Sequence, residues 1–205
     1  MIHQSIKDLY YSLLYPCSYL LKPVYKLHYR ALRNQCHKVH VGCGKNYLEG
    51  FINIDANFQR RVDYLLDTRA GLPFPDDSVE IIYSCHMLEH VHVTEAIEIL
   101  KEWRRILSPA GYVRLTLPDF NYIFHILSGQ APANFPRSFD SRHGQAINFL
   151  FCDGQHKYAY SPELIEELAL GLGFSKVVPA SQEDCNISDL TSIEPGGSFS
   201  VNLFK

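Results

Sequence analysis

Short apolar runs alternate with stretches of helical spacing along most of the chain from residue 38 onward. Seven of these runs have the length and composition of buried strands. They are residues 39–41, 51–54, 62–66, 79–83, 112–117, 177–178 and 199–204. Glycine or aspartate follows each of the first three runs, as expected where a buried strand stops at a turn.

Two longer segments have the three- and four-residue spacing of amphipathic helices. Residues 94–107 repeat apolar side chains at this spacing after Thr94, which is a suitable N-cap. Residues 161–172 open with Ser161 and Pro162, which favour the first positions of a helix. Residues 119–160 show no clean period and are predicted to form a long excursion over the sheet. Strands that alternate with helices predict an α/β fold with a mostly parallel sheet.

The first part of the chain is predicted to be a helical arm (1–37), followed by the main domain (38–205). Its leucines suffice for two short helices divided at Pro16 or Pro23. The loop after the first strand is too short for a helix, so one sheet face lacks its cover. Burying one leucine-sized side chain stabilises a fold by about 1.5–3 kcal/mol. We therefore expect the arm to pack on that face, near the strand ends, with its Lys and Arg side chains outward.

Composition and charge add a second view of this arm. The chain has 205 residues, 46% hydrophobic and 20% charged, which is typical of one globular domain. Residues 1–40 hold six Lys and Arg and one Asp, whereas the remainder is acidic. This asymmetry favours peripheral membrane contact through the arm, and the acidic main domain disfavours a nucleic-acid partner. The chain contains no C-x-x-C pair, and we expect a reducing, cytoplasmic location.

Candidate ligand-binding residues follow the first three strand runs. In open α/β sheets, ligands bind outside the carboxyl ends of the strands. Gly42 and Gly44 let the backbone approach a ligand closely, and Asp55 can accept both hydroxyls of a ribose. Asp67 can accept an exocyclic amine, so the set describes an adenosine-containing ligand. A pyrophosphate site is disfavoured, because Asp55 comes only 11 residues after Gly44 and leaves no room for a full helix.

Five stretches together resemble a known family. They are VHVGCG at 39–44, EGFINID at 49–55, LPFPD at 72–76, LEH at 88–90 and WRRILSPAG at 103–111. In this order they are similar to class I S-adenosylmethionine-dependent methyltransferases. The closest resemblance is to a small branch of the methyltransferase type 11 kind, in which the first helix is shortened to a loop.

The resemblance implies a Rossmann-like, seven-stranded, mostly parallel sheet with helices on both faces and an antiparallel last strand. It implies S-adenosylmethionine as cofactor, with the glycine loop on its methionine part, Asp55 on the ribose, and Asp67 with Thr68 on the adenine. The family usually has an acidic residue just before the glycine loop, and this chain has His40 at that position. The expected cofactor-binding set is His40, Gly42, Cys43, Gly44, Asp55, Asp67, Thr68 and Ser84.

Two histidines are the candidate catalytic residues. By the resemblance, His86 lies beside the transferred methyl group, and His156 lies in the excursion that would roof the pocket. Either could accept a proton near neutral pH or bind the methyl acceptor. The acceptor is expected to be a small molecule or a saccharide or glycolipid, because the branch is often associated with such assembly.

Two other functions stay open. The run 86–90 reads H-x-x-E-H, as in some zinc hydrolases, but that motif needs a helix, and Val91 and Val93 argue against one before residue 94. We therefore predict no metal site. The chain could also be a non-catalytic binding module that keeps the fold, but the intact glycines and aspartates favour an enzyme.

Overall fold

The computed structural model describes residues 4–32, 37–131, 139–180 and 196–205. Its strands are Lys38–Val41 (β1), Ile52–Asp55 (β2), Tyr64–Leu65 (β3), Val79–Cys85 (β4), Leu107–Pro118 (β5), Lys176–Pro179 (β6) and Ser198–Phe204 (β7). Its α-helices are Gln4–Leu32 (α1), Val93–Ile106 (α2), Tyr122–Ser128 (α3), Arg142–Phe151 (α4) and Pro162–Gly171 (α5).

The strands form one seven-stranded sheet in the order β3-β2-β1-β4-β5-β7-β6. The pairs of β1 with β2, β1 with β4, β2 with β3 and β4 with β5 are parallel, and β7 runs antiparallel to β5 and β6. The predicted Rossmann-like sheet with an antiparallel last strand is confirmed. Because β1 lies between β2 and β4, the carboxyl ends of three neighbouring parallel strands meet at one edge.

The main core lies between the sheet and the helices α2 and α5. Trp103 of α2 and Ile165 of α5 are fully buried against apolar strand residues such as Val39 and Leu115. The predicted bounds of both helices agree with the structure to within two residues. Ser161 caps α5 through its hydroxyl, which accepts a hydrogen bond from the Leu164 N–H.

The excursion is more ordered than its sequence suggested. It contains α3 and α4, which pack on each other through Ile126 and Ala146. The interpretation of 119–160 as irregular was therefore wrong for these two segments. Helix α3 has only seven residues and α4 contains Gly144, so neither shows a long apolar stripe of helical period.

The arm also differs from its prediction. Gln4–Leu32 is one continuous helix, with Pro16 and Pro23 inside it, rather than two short helices. Both prolines lie on the exposed side of α1. The backbone carbonyl that each proline leaves without its N–H donor can bond to water on that side, and solvent-side distortion is the usual way in which helices bend.

Polar and aromatic side chains fasten α1 to the main domain. The Tyr29 side chain is buried, packs edge-on against Phe74 and donates its hydroxyl to the Ser78 carbonyl at 2.9 Å. Tyr25 stacks on Tyr64, with ring centroids 4.4 Å apart. The prediction that the arm's basic side chains all point outward was wrong for Lys22, whose ammonium donates to the Ala70 carbonyl at 2.8 Å.

Helix α1 packs on the sheet face opposite to the one expected. Tyr29 belongs to the core cluster that contains Val39 and Trp103. The short loop 42–51 places Leu48 and Phe51 against Tyr83, which points to the other face because side chains alternate along a strand. The loop therefore provides its own cover, and the arm extends the core that α2 and α5 form.

The outward side of α1 carries an apolar stripe. Five side chains at helical spacing are between 59% and 78% exposed: Leu9, Leu13, Leu20, Val24 and Leu27. Lys26 and Arg30 lie on the same exposed side of the helix. Among the described residues, no helix has the length and apolar character needed to cross a bilayer.

Alanine substitutions on the two sides of α1 should affect stability very differently. Replacing Tyr29 with alanine removes a buried ring and its hydrogen bond, and we expect a loss of about 3–5 kcal/mol in the free energy of unfolding. Leu27→Ala, two residues away on the exposed stripe, should change it by no more than about 0.5 kcal/mol. Urea denaturation of both variants tests this prediction, and equal effects would show that α1 does not pack as described.

Candidate functional site

A cavity of about 540 Å³ opens at the carboxyl ends of β1 and β2. The strand ends form its floor, the turn 67–69 forms one wall and the segment 86–91 forms another. Tyr11 and Ser12 of α1 close a third side, and Gln155 and Lys157 reach it from the end of the excursion. The cavity therefore lies at the edge where ligands bind in parallel α/β sheets.

The glycine loop after β1 approaches the cavity with its backbone. Gly42 has a φ of 71° and donates its N–H to the Ile54 carbonyl at 2.9 Å. A Cβ on Gly42 would lie 2.4 Å from Cγ of Met87, so no larger residue fits there. Gly44 has a φ of 52°, and no atom lies within 4 Å of the position that its Cβ would take. Its backbone therefore borders open space.

The pairing of β2 with β1 places Asp55, the last residue of β2, beside the glycine loop that follows β1. Its Oδ2 accepts the Gly44 N–H at 2.7 Å, and its Oδ1 accepts the Asn57 N–H at 2.7 Å. These two bonds fix the plane of the carboxylate at the cavity wall. A carboxylate offers about four lone-pair sites. Asp55 can therefore still accept hydrogen bonds from two ligand hydroxyls.

Asp67 and Thr68 line the opposite side of the cavity, but they differ in availability. The Asp67 carboxylate is buried and forms a two-pronged ion pair with Arg69, with Nη2 to Oδ2 at 2.6 Å and Nε to Oδ1 at 3.0 Å. Within the described part of the chain, the buried Thr68 Oγ1 has no hydrogen-bond partner. Thr68 therefore has the open polar group on this wall, and Asp67 mainly positions Arg69.

Three residues of the expected cofactor set do not line the cavity: His40, Cys43 and Ser84. Val41 points toward the cavity, so its neighbour His40 alternates to the other sheet face. There Nδ1 of His40 lies 3.2 Å from Oδ1 of Asn53, and its ring contacts Tyr83. Burial lowers the pKa of His40 to about 4. The His40 side chain therefore does not line the cavity in which the cofactor was expected.

Cys43 and Ser84 are buried in the scaffold behind the cavity. Cys43 is 2% exposed, and burial raises the pKa of its thiol to about 12. Ser84 is fully buried at the end of β4 and pairs in register with Val41. Neither residue lines the cavity.

His86 lies at the cavity wall, immediately after β4. It adopts a φ of 52°, which is uncommon for a residue other than glycine, and its Nε2 lies 2.7 Å from Oγ of Ser198. Burial, together with the neighbouring His156 and His90, lowers its pKa to about 4. The ring is thus neutral at neutral pH.

His156 lies behind that wall rather than in it. Its side chain is 9% exposed, and Nε2 is 3.9 Å from Oε1 of the buried Glu89. It does not line the main cavity, and a direct contact with a ligand there is not supported. The sequence interpretation missed Met87, His90 and Lys157 as lining residues. Each of them lies next to or within a stretch that the sequence had singled out, Met87 and His90 in the run 86–90 and Lys157 beside His156, and this closeness is the signal that could have indicated them.

Comparisons with known proteins agree with this geometry. Residues 31–115 match a family model described as a methyltransferase domain. Among curated protein sequences, none matches the chain.

Solved structures provide a broader likeness. An S-adenosylmethionine-dependent methyltransferase from Archaeoglobus fulgidus aligns over 90% of this chain and 94% of its own, with 15% identity and a TM-score of 0.53. A second from Mesorhizobium loti aligns over 86% and 97%, with 16% identity and a TM-score of 0.52. The plantazolicin methyltransferase BpumL, solved with S-adenosylhomocysteine, aligns over 98% and 89%, with 13% identity and a TM-score of 0.54. At these identities the likeness shows the fold.

The buried His40 predicts a pH dependence of stability. Its folded-state pKa of about 4 lies below the usual 6.5, so unfolding takes up a proton between these values and stability falls as the pH drops from 6.5 toward 4. Between pH 7 and pH 5 we expect this group to cost about 1–2 kcal/mol. Urea denaturation of wild type and His40→Gln at both pH values tests it. The variant should lose less stability than the wild type, and parallel losses would contradict the prediction.

Proposed function

Because this chain has the class I methyltransferase fold, we propose that it is an S-adenosylmethionine-dependent methyltransferase. One observation carries the proposal. The glycine loop after β1, the Asp55 carboxylate after β2 and the Thr68 hydroxyl all face one cavity at the carboxyl edge of the sheet. Backbone amides, a carboxylate and a hydroxyl in this order suit a ligand with an amino acid part, a ribose and a purine.

The residues present fit that cofactor. Gly44 leaves open space where a side chain would otherwise stand, which gives room for the methionine part. Asp55 holds its carboxylate fixed and can accept the ribose hydroxyls. Thr68, whose buried Oγ1 has no partner in the described chain, can bond to the adenine. When bound, the cofactor supplies a methyl group made electrophilic by a positively charged sulfur.

His86 is proposed as the residue that faces the methyl acceptor. It lines the cavity beside Met87, and its Nε2 is oriented by Ser198. Methyl transfer is a displacement at carbon, in which the acceptor atom forms a bond to the methyl group as the bond to sulfur breaks. The enzyme then mainly positions the acceptor. Because Nε2 contacts Ser198 and Nδ1 lies 3.3 Å from Glu89, His86 would exchange the Ser198 contact for one with the acceptor before its ring could take up the acceptor's proton.

The acceptor is proposed to be a small molecule or a saccharide or glycolipid. The end of the excursion supports an acceptor roof, because Gln155 and Lys157 reach the cavity wall and offer polar contacts. The cavity also lies beside the first part of α1, through Tyr11 and Ser12. An acceptor attached to a lipid could thus reach the cavity from the surface on which α1 lies.

We also propose that the outward side of α1 contacts an anionic membrane surface. Its apolar stripe has exposed leucines on the side opposite to Tyr29, so packing on the main domain does not cover them. No acidic residue occurs between residues 9 and 48, whereas Lys26 and Arg30 lie on the exposed side. An apolar face with basic neighbours suits anionic lipid, in which a helix can lie within the interface plane. A cytoplasmic location stays a prediction.

Removing the Asp55 carboxylate should weaken cofactor binding. We expect Asp55→Asn to lower the affinity for S-adenosylmethionine by about 5- to 150-fold, which corresponds to about 1–3 kcal/mol of lost hydrogen bonding. Titration calorimetry measures this, with Glu98→Gln on the exposed side of α2 as the matched control. Unchanged affinity would remove Asp55 from the site. No binding by the wild type would favour the alternative of a non-catalytic module.

A negative charge placed on the apolar stripe should weaken binding to the membrane surface. Wild-type protein should sediment with phosphatidylserine-containing vesicles more than with neutral ones, and Leu20→Glu should reduce the bound fraction about tenfold. Leu170→Glu provides the control, because Leu170 is an exposed leucine on α5. If Leu20→Glu instead dissolves a dimer and leaves vesicle binding unchanged, the stripe is an interface between two copies and the membrane proposal is wrong.

A further inference from the structure

Glu89 is a fully buried carboxylate without hydrogen bonds. It lies in the 3-10 turn Leu88–His90 and is 1% exposed. Among the described residues, neither of its side-chain oxygens accepts a hydrogen bond, and Nδ1 of His86 lies 3.3 Å from Oε1. A buried carboxylate normally has hydrogen-bond donors or a counter-ion, because its desolvation is costly. One histidine contact at this distance does not satisfy both oxygens, so the burial of this carboxylate needs an explanation.

In two histidines next to Glu89, the ring nitrogen Nε2 carries no proton. Nδ1 of His90 lies 3.2 Å from the Gln155 carbonyl, and Nδ1 of His156 lies 2.9 Å from the Leu150 carbonyl. A carbonyl can only accept, so Nδ1 must carry the proton in both rings. Nε2 of each neutral ring then presents a lone pair. Metal-binding histidines show this arrangement, in which the second ring nitrogen donates to a carbonyl or carboxylate.

The backbone holds these three side chains together. Glu89 and His90 are neighbours in one turn, and the Glu89 carbonyl accepts the Lys157 N–H at 2.7 Å, directly after His156. The His90 and His156 rings meet edge-on with their centroids 5.0 Å apart. One potential ligand atom from each of Glu89, His90 and His156 lies within 4.8 Å of the others.

We propose that Glu89, His90 and His156 bind a divalent first-row transition metal such as Zn²⁺. Tetrahedral ligands at about 2.1 Å from one ion lie about 3.4 Å apart. Atoms that now lie up to 4.8 Å apart would therefore approach by as much as about 1.4 Å, through side-chain rotation. Two imidazoles and one carboxylate suit zinc and leave an open coordination position, whereas magnesium and calcium prefer oxygen ligands. The metal would supply the positive charge that the buried carboxylate lacks.

The site adjoins the proposed methyl-transfer cavity. His90 lines that cavity, while Glu89 and His156 line a small void of about 10 Å³ behind it. Because His90 lines the cavity, the open coordination position of the metal can face the cavity. This role of the metal rests on the proposed function. The metal would bind an oxygen of the methyl acceptor, favour its deprotonation and hold it beside His86. The H-x-x-E-H run is thus used through Glu89 and His90, with His156 in place of the first histidine.

Metal binding by the full-length protein tests the inference without an acceptor. After dialysis against a chelator, wild type should bind one equivalent of Zn²⁺ by calorimetry, and Co²⁺ should give visible absorption bands of a site with nitrogen and oxygen ligands. Glu89→Gln and His156→Ala should each weaken Zn²⁺ binding by at least about tenfold. His125→Ala is the matched control, because His125 is exposed on α3 away from the cluster.

Further measurements separate this inference from the proposed function. Circular dichroism verifies that the variants fold, and S-adenosylmethionine titration should give the same affinity for Glu89→Gln as for wild type. Zn²⁺ binding that is absent in the wild type, or equally tight in both cluster variants, would overturn the metal site even if the cofactor binds. If the wild type binds Zn²⁺ but does not bind S-adenosylmethionine, the methyltransferase proposal is contradicted and the metal site is retained.

Discussion

The parallel pairing of β1 with β2 is the constraint on which the cavity depends. The register Val41 to Ile54 brings the end of β1 beside Asp55, and the Asp55 carboxylate accepts the Gly44 N–H across the gap. The glycine loop thus turns back over the strand ends without an intervening helix. A bulkier residue at Gly42 would collide with Met87, which itself begins the wall that carries Glu89 and His90. The β1–β2 pair therefore positions the floor of the cavity, against which the wall after β4 packs.

The sequence predicted the sheet well because strand signals are local. Buried runs that end at glycine or aspartate indicated the order of elements and pointed to Gly42, Gly44 and Asp55, and the family resemblance added Thr68; all four line the cavity. The sequence was less informative about the direction in which a side chain points. Strand alternation beside Val41 could have shown that His40 faces away from the cavity. The ion pair of Asp67 with Arg69 depends on the path of a turn, which the sequence does not specify. The short helices α3 and α4 gave too weak a period to recognise.

Helix α1 shows why an amphipathic interpretation can mislead. It has an inward side with Tyr25 and Tyr29 and an outward side with exposed leucines, so apolar residues occupy two faces. Helix α1 buries one face against the main domain and leaves the other exposed. The two prolines do not divide it because both lie toward solvent, where the missing backbone hydrogen bonds cost least. Propensity alone could not have predicted this, because it does not specify which side faces water.

The position of Glu89 connects the fold to the chemistry that it can support. A carboxylate whose oxygens accept no hydrogen bond is expensive to bury, and Glu89 is 1% exposed. Glutamine at this position would keep the shape of the side chain and remove the charge, so packing alone gives no reason for a carboxylate. The same turn places His90 in the cavity wall and holds the His156 segment through a backbone hydrogen bond. The proposed cation beside the cavity would account for the buried carboxylate and the two neighbouring imidazoles together, whereas the backbone contacts of the two rings give no reason for a carboxylate at position 89.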